Sequence, residues 1–126
     1  MPLFAFHRKE HWLVEPYLHF HIHYELDVIR SGEITIIANG TRIYSRGPCV
    51  ILYKPYCYHV NVDHKTDDYD INVFHFNSEV ASEFSNYVRV DELYQSNVTY
   101  LPLEGELYDE VMSLLGAFSE SPGREV

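Results

Sequence analysis

The sequence predicts a mainly β domain, an antiparallel sandwich or barrel of short strands, followed by a helical C-terminal element. Three observations predict it. Strand-like runs alternate with turn signals from the N-terminus to Phe76, at a spacing that suits a sandwich or barrel rather than a parallel sheet. Aromatic residues, which favour strands, are abundant, with 11 Tyr and 7 Phe in 126 residues. Helical spacing of apolar side chains enters only beyond that point.

Phe4 and Phe6 alternate with smaller neighbours and mark a short first strand. His19 to Ile29 reads as a long strand, with His19, His21, His23 and Glu25 all on one face because strand side chains alternate. Ser31-Gly32 supplies a turn, and Ile34 to Ala38 is β-branched and apolar. Asn39-Gly40 predicts a tight hairpin, because a type I′ turn needs positive φ at both central residues; Thr41 to Tyr44 returns as its partner. Arg46-Gly47-Pro48 breaks the chain before the apolar run Cys49 to Tyr53, a buried strand. Lys54-Pro55-Tyr56 turns, His59 to Val62 is extended, Asp63 to Asp68 is a polar loop, and Tyr69 to Phe76 is the last strand expected. Asn77 is placed to cap a helix from Ser78 to about Tyr87. Asp91 to Tyr100 reads as irregular. Leu107, Val111, Leu114, Leu115 and Phe118 then follow helical spacing, with Glu104, Glu106, Asp109, Glu110 and Glu120 leaving the other face acidic, until Ser121-Pro122-Gly123 stops the helix. The expected organisation is one domain, with the barrel and short helix in 1–99 and the amphipathic helix in 100–126.

Composition narrows function. Nine Lys and Arg against 19 Asp and Glu give a net charge of −10, so this surface repels a phosphate backbone. No apolar run is long enough to span a bilayer and no signal peptide is evident, which points to the cytoplasm. Cys49 and Cys57, in or beside apolar strand segments, read as reduced, partly buried thiols. Catalytic fingerprints such as a P-loop or a dinucleotide motif are missing.

The chemistry concentrates in His19-x-His21-x-x-x-Glu25 and in the later Gly47, Pro55 and His59. Three imidazoles and a carboxylate would line one interior if the His59 strand lies beside the first. Such a set can contact a ligand, hold a divalent transition metal, or serve as structural polar residues. The residues alone admit both contact with a ligand and metal ligation by His19, His21, Glu25 and His59. His75 shares a strand face with Ile71 and Val73 and reads as a satisfied core or surface histidine. Tyr24 and Tyr53 are candidates to line a pocket.

These motifs resemble the cupin superfamily. His19, His21, Glu25 and Gly32 match its first motif, with Leu13 where that motif has an earlier glycine; Gly47, Pro55 and His59 match part of its second. The ordered series His21 to Leu26, Ser31-Gly32-Glu33, Arg46 to His59, Val73 to Phe76 and Tyr100 to Phe118 resembles the N-terminal domain of AraC/XylS-type transcription regulators. The resemblance implies a cupin (jelly-roll, double-stranded) β-barrel with a C-terminal helical dimerisation element. It implies a small polar effector inside the barrel, such as a sugar, touched by His19, His21, Glu25, His59, Tyr24 and Tyr53. It also implies a homodimer formed through Leu107, Val111, Leu114, Leu115 and Phe118. DNA would be read only by a helix-turn-helix half that this sequence does not contain. No cofactor is expected of a sensor. The alternative is a stand-alone metal-dependent cupin enzyme of dioxygenase or isomerase type, in which the metal is Lewis acid or oxygen activator.

Overall fold

The computed structural model describes residues 4–9, 22–62, 70–84 and 96–119. Their elements run β1 (Phe4–Lys9), β2 (Tyr24–Ser31), β3 (Glu33–Ala38), β4 (Thr41–Arg46), β5 (Cys49–Tyr53), β6 (His59–Val62), β7 (Asp70–Phe76), α1 (Ser78–Phe84), β8 (Val98–Pro102) and α2 (Gly105–Ser119). The strands form a five-stranded sheet in the order β1-β7-β2-β5-β8 and a three-stranded sheet in the order β4-β3-β6. Every pairing is antiparallel.

The pleat sorts the five-stranded sheet into two apolar layers. Val28, Val50, Leu52, Phe74 and Phe76 face one way and join Val80 and Ala81 of α1 and Leu115 of α2. Ile29, Cys49, Ile51, Ile71 and Val73 face the other way and join Ile34, Ile36 and Ala38 of the small sheet. β5 is therefore buried at every position, which explains why its sequence shows no alternation. The edge strand β4 buries only Ser45.

Local chemistry sets the corners as expected. Asn39 (φ 48°) and Gly40 (φ 81°) both adopt positive φ and bring Ala38 opposite Thr41. Asn77 Oδ1 accepts the Val80 amide at 3.1 Å, capping α1. Gly47 donates its amide to Gly32 O at 3.0 Å. A Cβ on Gly47 would lie 2.9 Å from the Ser31 amide nitrogen, so only glycine lets these two backbone segments approach.

Two expectations are corrected. Residues 98–100, expected to be irregular, begin β8, which pairs with β5 from Tyr53↔Val98 to Cys49↔Pro102. Leu101 and Pro102 obscure its alternation, and Pro102 fits because an edge strand leaves one row of donors unused. Of the long strand expected from His19, the described part begins at Tyr24, after a bend at Ile22 and His23, and residues 19–21 lie outside the described residues.

α2 divides the apolar stripe expected of it. Leu115 is buried, and Val111 and Met112 pack on the same cluster. Leu107 and Leu114 remain 50% and 65% exposed. The Phe118 side chain lies outside the described residues. Beneath the helix, Arg30 Nε donates to Asn72 Oδ1 at 2.9 Å and its Nη1 meets Met112 Sδ at 3.8 Å. Among the described residues, no helix is long and apolar enough to cross a membrane.

Candidate functional site

The inward face of the five-stranded sheet ends in one row. Register places His75 opposite Glu25, Glu25 opposite Tyr53, and Tyr53 opposite Val98. Side chains directly opposite each other in a sheet share a face, so these four cross β7, β2, β5 and β8 in line. On the small sheet, Ala38 lies opposite both Thr41 and His59.

Polar contacts tie the row together. His75 Nε2 donates to Glu25 Oε1 at 2.9 Å, with the two side chains 20% and 7% exposed. The Tyr53 ring stacks on His59 from the opposite sheet, 4.2 Å between centroids and 22° between planes. His59 Nδ1 donates to Cys57 O at 3.1 Å, because a carbonyl can only accept. That bond leaves Nε2 of a neutral His59 as an acceptor. Burial, with the Glu25 carboxylate adding to it, pushes the Cys57 thiol pKa up. Asp27 lies two residues along β2, also buried, opposite Ile51 and Val73.

At the Val98 end of the row, an open groove of about 540 Å³ runs between β4 and β8, the edge strands of the two sheets. Its walls are apolar at Ala38, Ile43, Val98 and Tyr100, and polar at Asn39, Thr41, Ser96 and Asn97. Ile43, Val98 and Tyr100 also pack on the inter-sheet core. The Tyr100 hydroxyl donates to Arg46 O at 3.4 Å, bridging the seam.

Of the predicted site residues, the structure gathers Glu25, Tyr53 and His59. Tyr24 is not among them: it lies on the other face of the sheet, stacked on Phe76 at 5.4 Å and 6°, as alternation from Glu25 requires. His19 and His21 lie outside the described residues. Among the described residues, no group of three His, Cys, Asp or Glu side chains is placed to hold a metal ion. Of the four candidate ligands, Glu25 and His59 are described, and both are neighbours of Tyr53.

His75, read from the sequence as a satisfied core or surface histidine, is satisfied by Glu25, whereas the groove was passed over. The alternation Ile71, Val73, His75 carried the signal for the first, since it sets His75 on the core-facing side. The groove left none, because one of its walls is the strand that the sequence hid.

The site is thus the end of a two-sheeted antiparallel β domain, with a largely buried row of side chains running to the β4–β8 seam. The solved structures that share this fold include ToxT from Vibrio cholerae. ToxT of strain O395 bound to (E)-4-(8-methylnaphthalen-1-yl)but-3-enoic acid superposes with a TM-score of 0.61 at 14% identity, covering 94% of this chain and 49% of that one. A second O395 structure gives 0.61 at 13% identity, covering 96% and 47%. Unsaturated fatty acid-bound ToxT of strain SCE256 gives 0.59 at 14% identity, covering 98% and 47%. This chain therefore spans about half the length of ToxT. The fold agrees with the resemblance to AraC-type cupin domains that the motifs suggested. No protein-family model matches the sequence, and no curated protein does.

Proposed function

We propose that this chain is the effector-sensing domain of an AraC-type transcription regulator, taking a small molecule with an apolar body into the groove between β4 and β8. The observation that carries this reading is the groove itself, lined by both apolar and polar residues, which meets at Val98 the row that runs through Tyr53 and Glu25 to His75. Pockets of a few hundred cubic ångströms, mostly apolar with a few polar groups, are the usual form of small-molecule sites.

The fold neighbour ToxT has been solved with an unsaturated fatty acid and with an arylbutenoic acid, both molecules with an apolar body. The apolar lining residues Ala38, Ile43, Val98 and Tyr100 suit such a body better than the sugar that the resemblance implied. DNA binding belongs to a helix-turn-helix half outside this sequence, in keeping with the net charge of −10. The metal-dependent enzyme alternative would need His19 and His21 beside Glu25 and His59, and no observation favours it over the sensor.

Thermal unfolding with matched probes tests the reading. 1-Octanol and octanoate should raise the melting temperature through preferential binding to the native state, whereas arabinose should not. Val98→Trp, which fills the groove from its apolar lining, should remove the octyl response while leaving the circular dichroism spectrum unchanged. A response to arabinose alone, or an octyl response that survives Val98→Trp, would overturn the assignment.

A further inference from the structure

The exposed face of α2 joins two unlike features. Leu107 and Leu114, 50% and 65% exposed, stand seven residues apart and so share one side of the helix. Glu110 falls between them, three residues from one and four from the other. Glu106 and Asp109 extend the acid along the outer face, and the sequence Gly105–Ser119 contains no Lys or Arg. Arg30, the cation placed against α2, approaches from the sheet side through Met112. Asp109, Glu110, Ser113 and Leu114 line a shallow surface hollow.

A two-fold pairing of this face with itself meets a specific obstacle. In an isologous contact, residues near the axis face their own copies. The midpoint between Leu107 and Leu114 falls at Glu110, so an antiparallel crossing that buries both leucines sets Glu110 against Glu110 of the second copy. A parallel pairing sets every residue against its own copy and gives the same clash. Like charges brought together at an interface are strongly unfavourable, and the helix carries no base to offset them.

We infer that the exposed face of α2 docks a basic amphipathic helix, with apolar residues for Leu107 and Leu114 and Lys or Arg for Glu106, Asp109 and Glu110, rather than a second copy of this chain. The charge pattern selects the partner, and the leucines give it a seat. This surface lies on the opposite side of the five-stranded sheet from the groove and does not depend on what the groove binds.

A labelled, helix-forming Leu/Lys peptide is the probe, read by fluorescence anisotropy, with sedimentation of the protein alone beside it. The peptide should bind, and its affinity should fall at least about tenfold as salt rises from about 50 mM to about 300 mM. The double variant Leu107→Glu/Leu114→Glu should abolish binding. These substitutions add acid to the surface, so mere charge attraction would strengthen; loss of binding reports the apolar seat. Asp109→Lys/Glu110→Lys should lose the Leu/Lys peptide and gain its Leu/Glu counterpart. A peptide affinity unchanged or raised in the leucine variant would overturn the inference. So would a dimer of the unmodified chain at neutral pH and low salt that Leu114→Glu dissociates.

Discussion

Glu25 is the residue on which the site turns. It is buried, it holds His75 at 2.9 Å, and its charge reaches the Cys57 thiol. Removing a buried acceptor leaves its donor unsatisfied, at a cost of about 1–3 kcal/mol. Glu25→Ala should therefore lower unfolding free energy in urea by about that amount, and Glu25→Gln, which keeps an acceptor, by clearly less. Equal loss in the two variants would mean that the His75 bond contributes nothing. The sequence made Glu25, Tyr53 and His59 legible because alternation and spacing put them on inward positions. Tyr24 lies on the other face by the same rule, since an even-numbered residue next to Glu25 must face the helices. The partner of His75 was hidden in another way. A histidine on an apolar strand face has several ordinary uses, and only the register of β7 against β2 shows which carboxylate it meets.

At the scale of the element, legibility followed local chemistry. The Asn39-Gly40 hairpin, the Asn77 cap and the buried run of β5 were readable because each is decided within a few residues by dihedral preference, an orphan amide or continuous apolarity. β8 was not, because its pairing partner lies 49 residues earlier at the Cys49–Tyr53 strand, and an edge strand imposes little pattern of its own. Gly47 stands between these cases. It was singled out as part of a motif, and the structure supplies the physical reason, the approach to Ser31. The obstacle there is backbone, which cannot rotate away as a side chain would. Gly47→Ala should cost about 1–3 kcal/mol, whereas a Cβ on Gly40 meets nothing, leaving only the milder φ penalty of about 1 kcal/mol. Urea unfolding of the two variants side by side checks the order.

For the whole molecule, the two thiols link stability to pH. Burial raises the pKa of Cys49 above 9.0, against the opposing hydrogen bonds from Ser45, Arg46 and Tyr100. Burial and Glu25 raise that of Cys57. The folded chain therefore favours the neutral thiols more than the unfolded chain does. That contribution is complete below the unfolded value near 9.0 and is lost as pH rises toward the folded values. The urea midpoint should fall between about pH 8 and about pH 10, and the fall should be smaller in Cys49→Ala/Cys57→Ala. Every other ionisable residue is common to both proteins, so the difference between the two curves reports the thiols.

The same sheet that lines the site on one side carries α1 and α2 on the other. Heredity meets a consequence of this. Strands β2, β5 and β7 have no idle face on which substitutions can accumulate silently. An inward change alters the cavity, and an outward change alters the seat of the helices. β4 has its alternate positions in water and is free to vary. Lineages carrying this domain should diverge along their rim while the shared wall stays nearly still, so a new ligand preference would arise most readily at the β4–β8 seam, where the groove already opens.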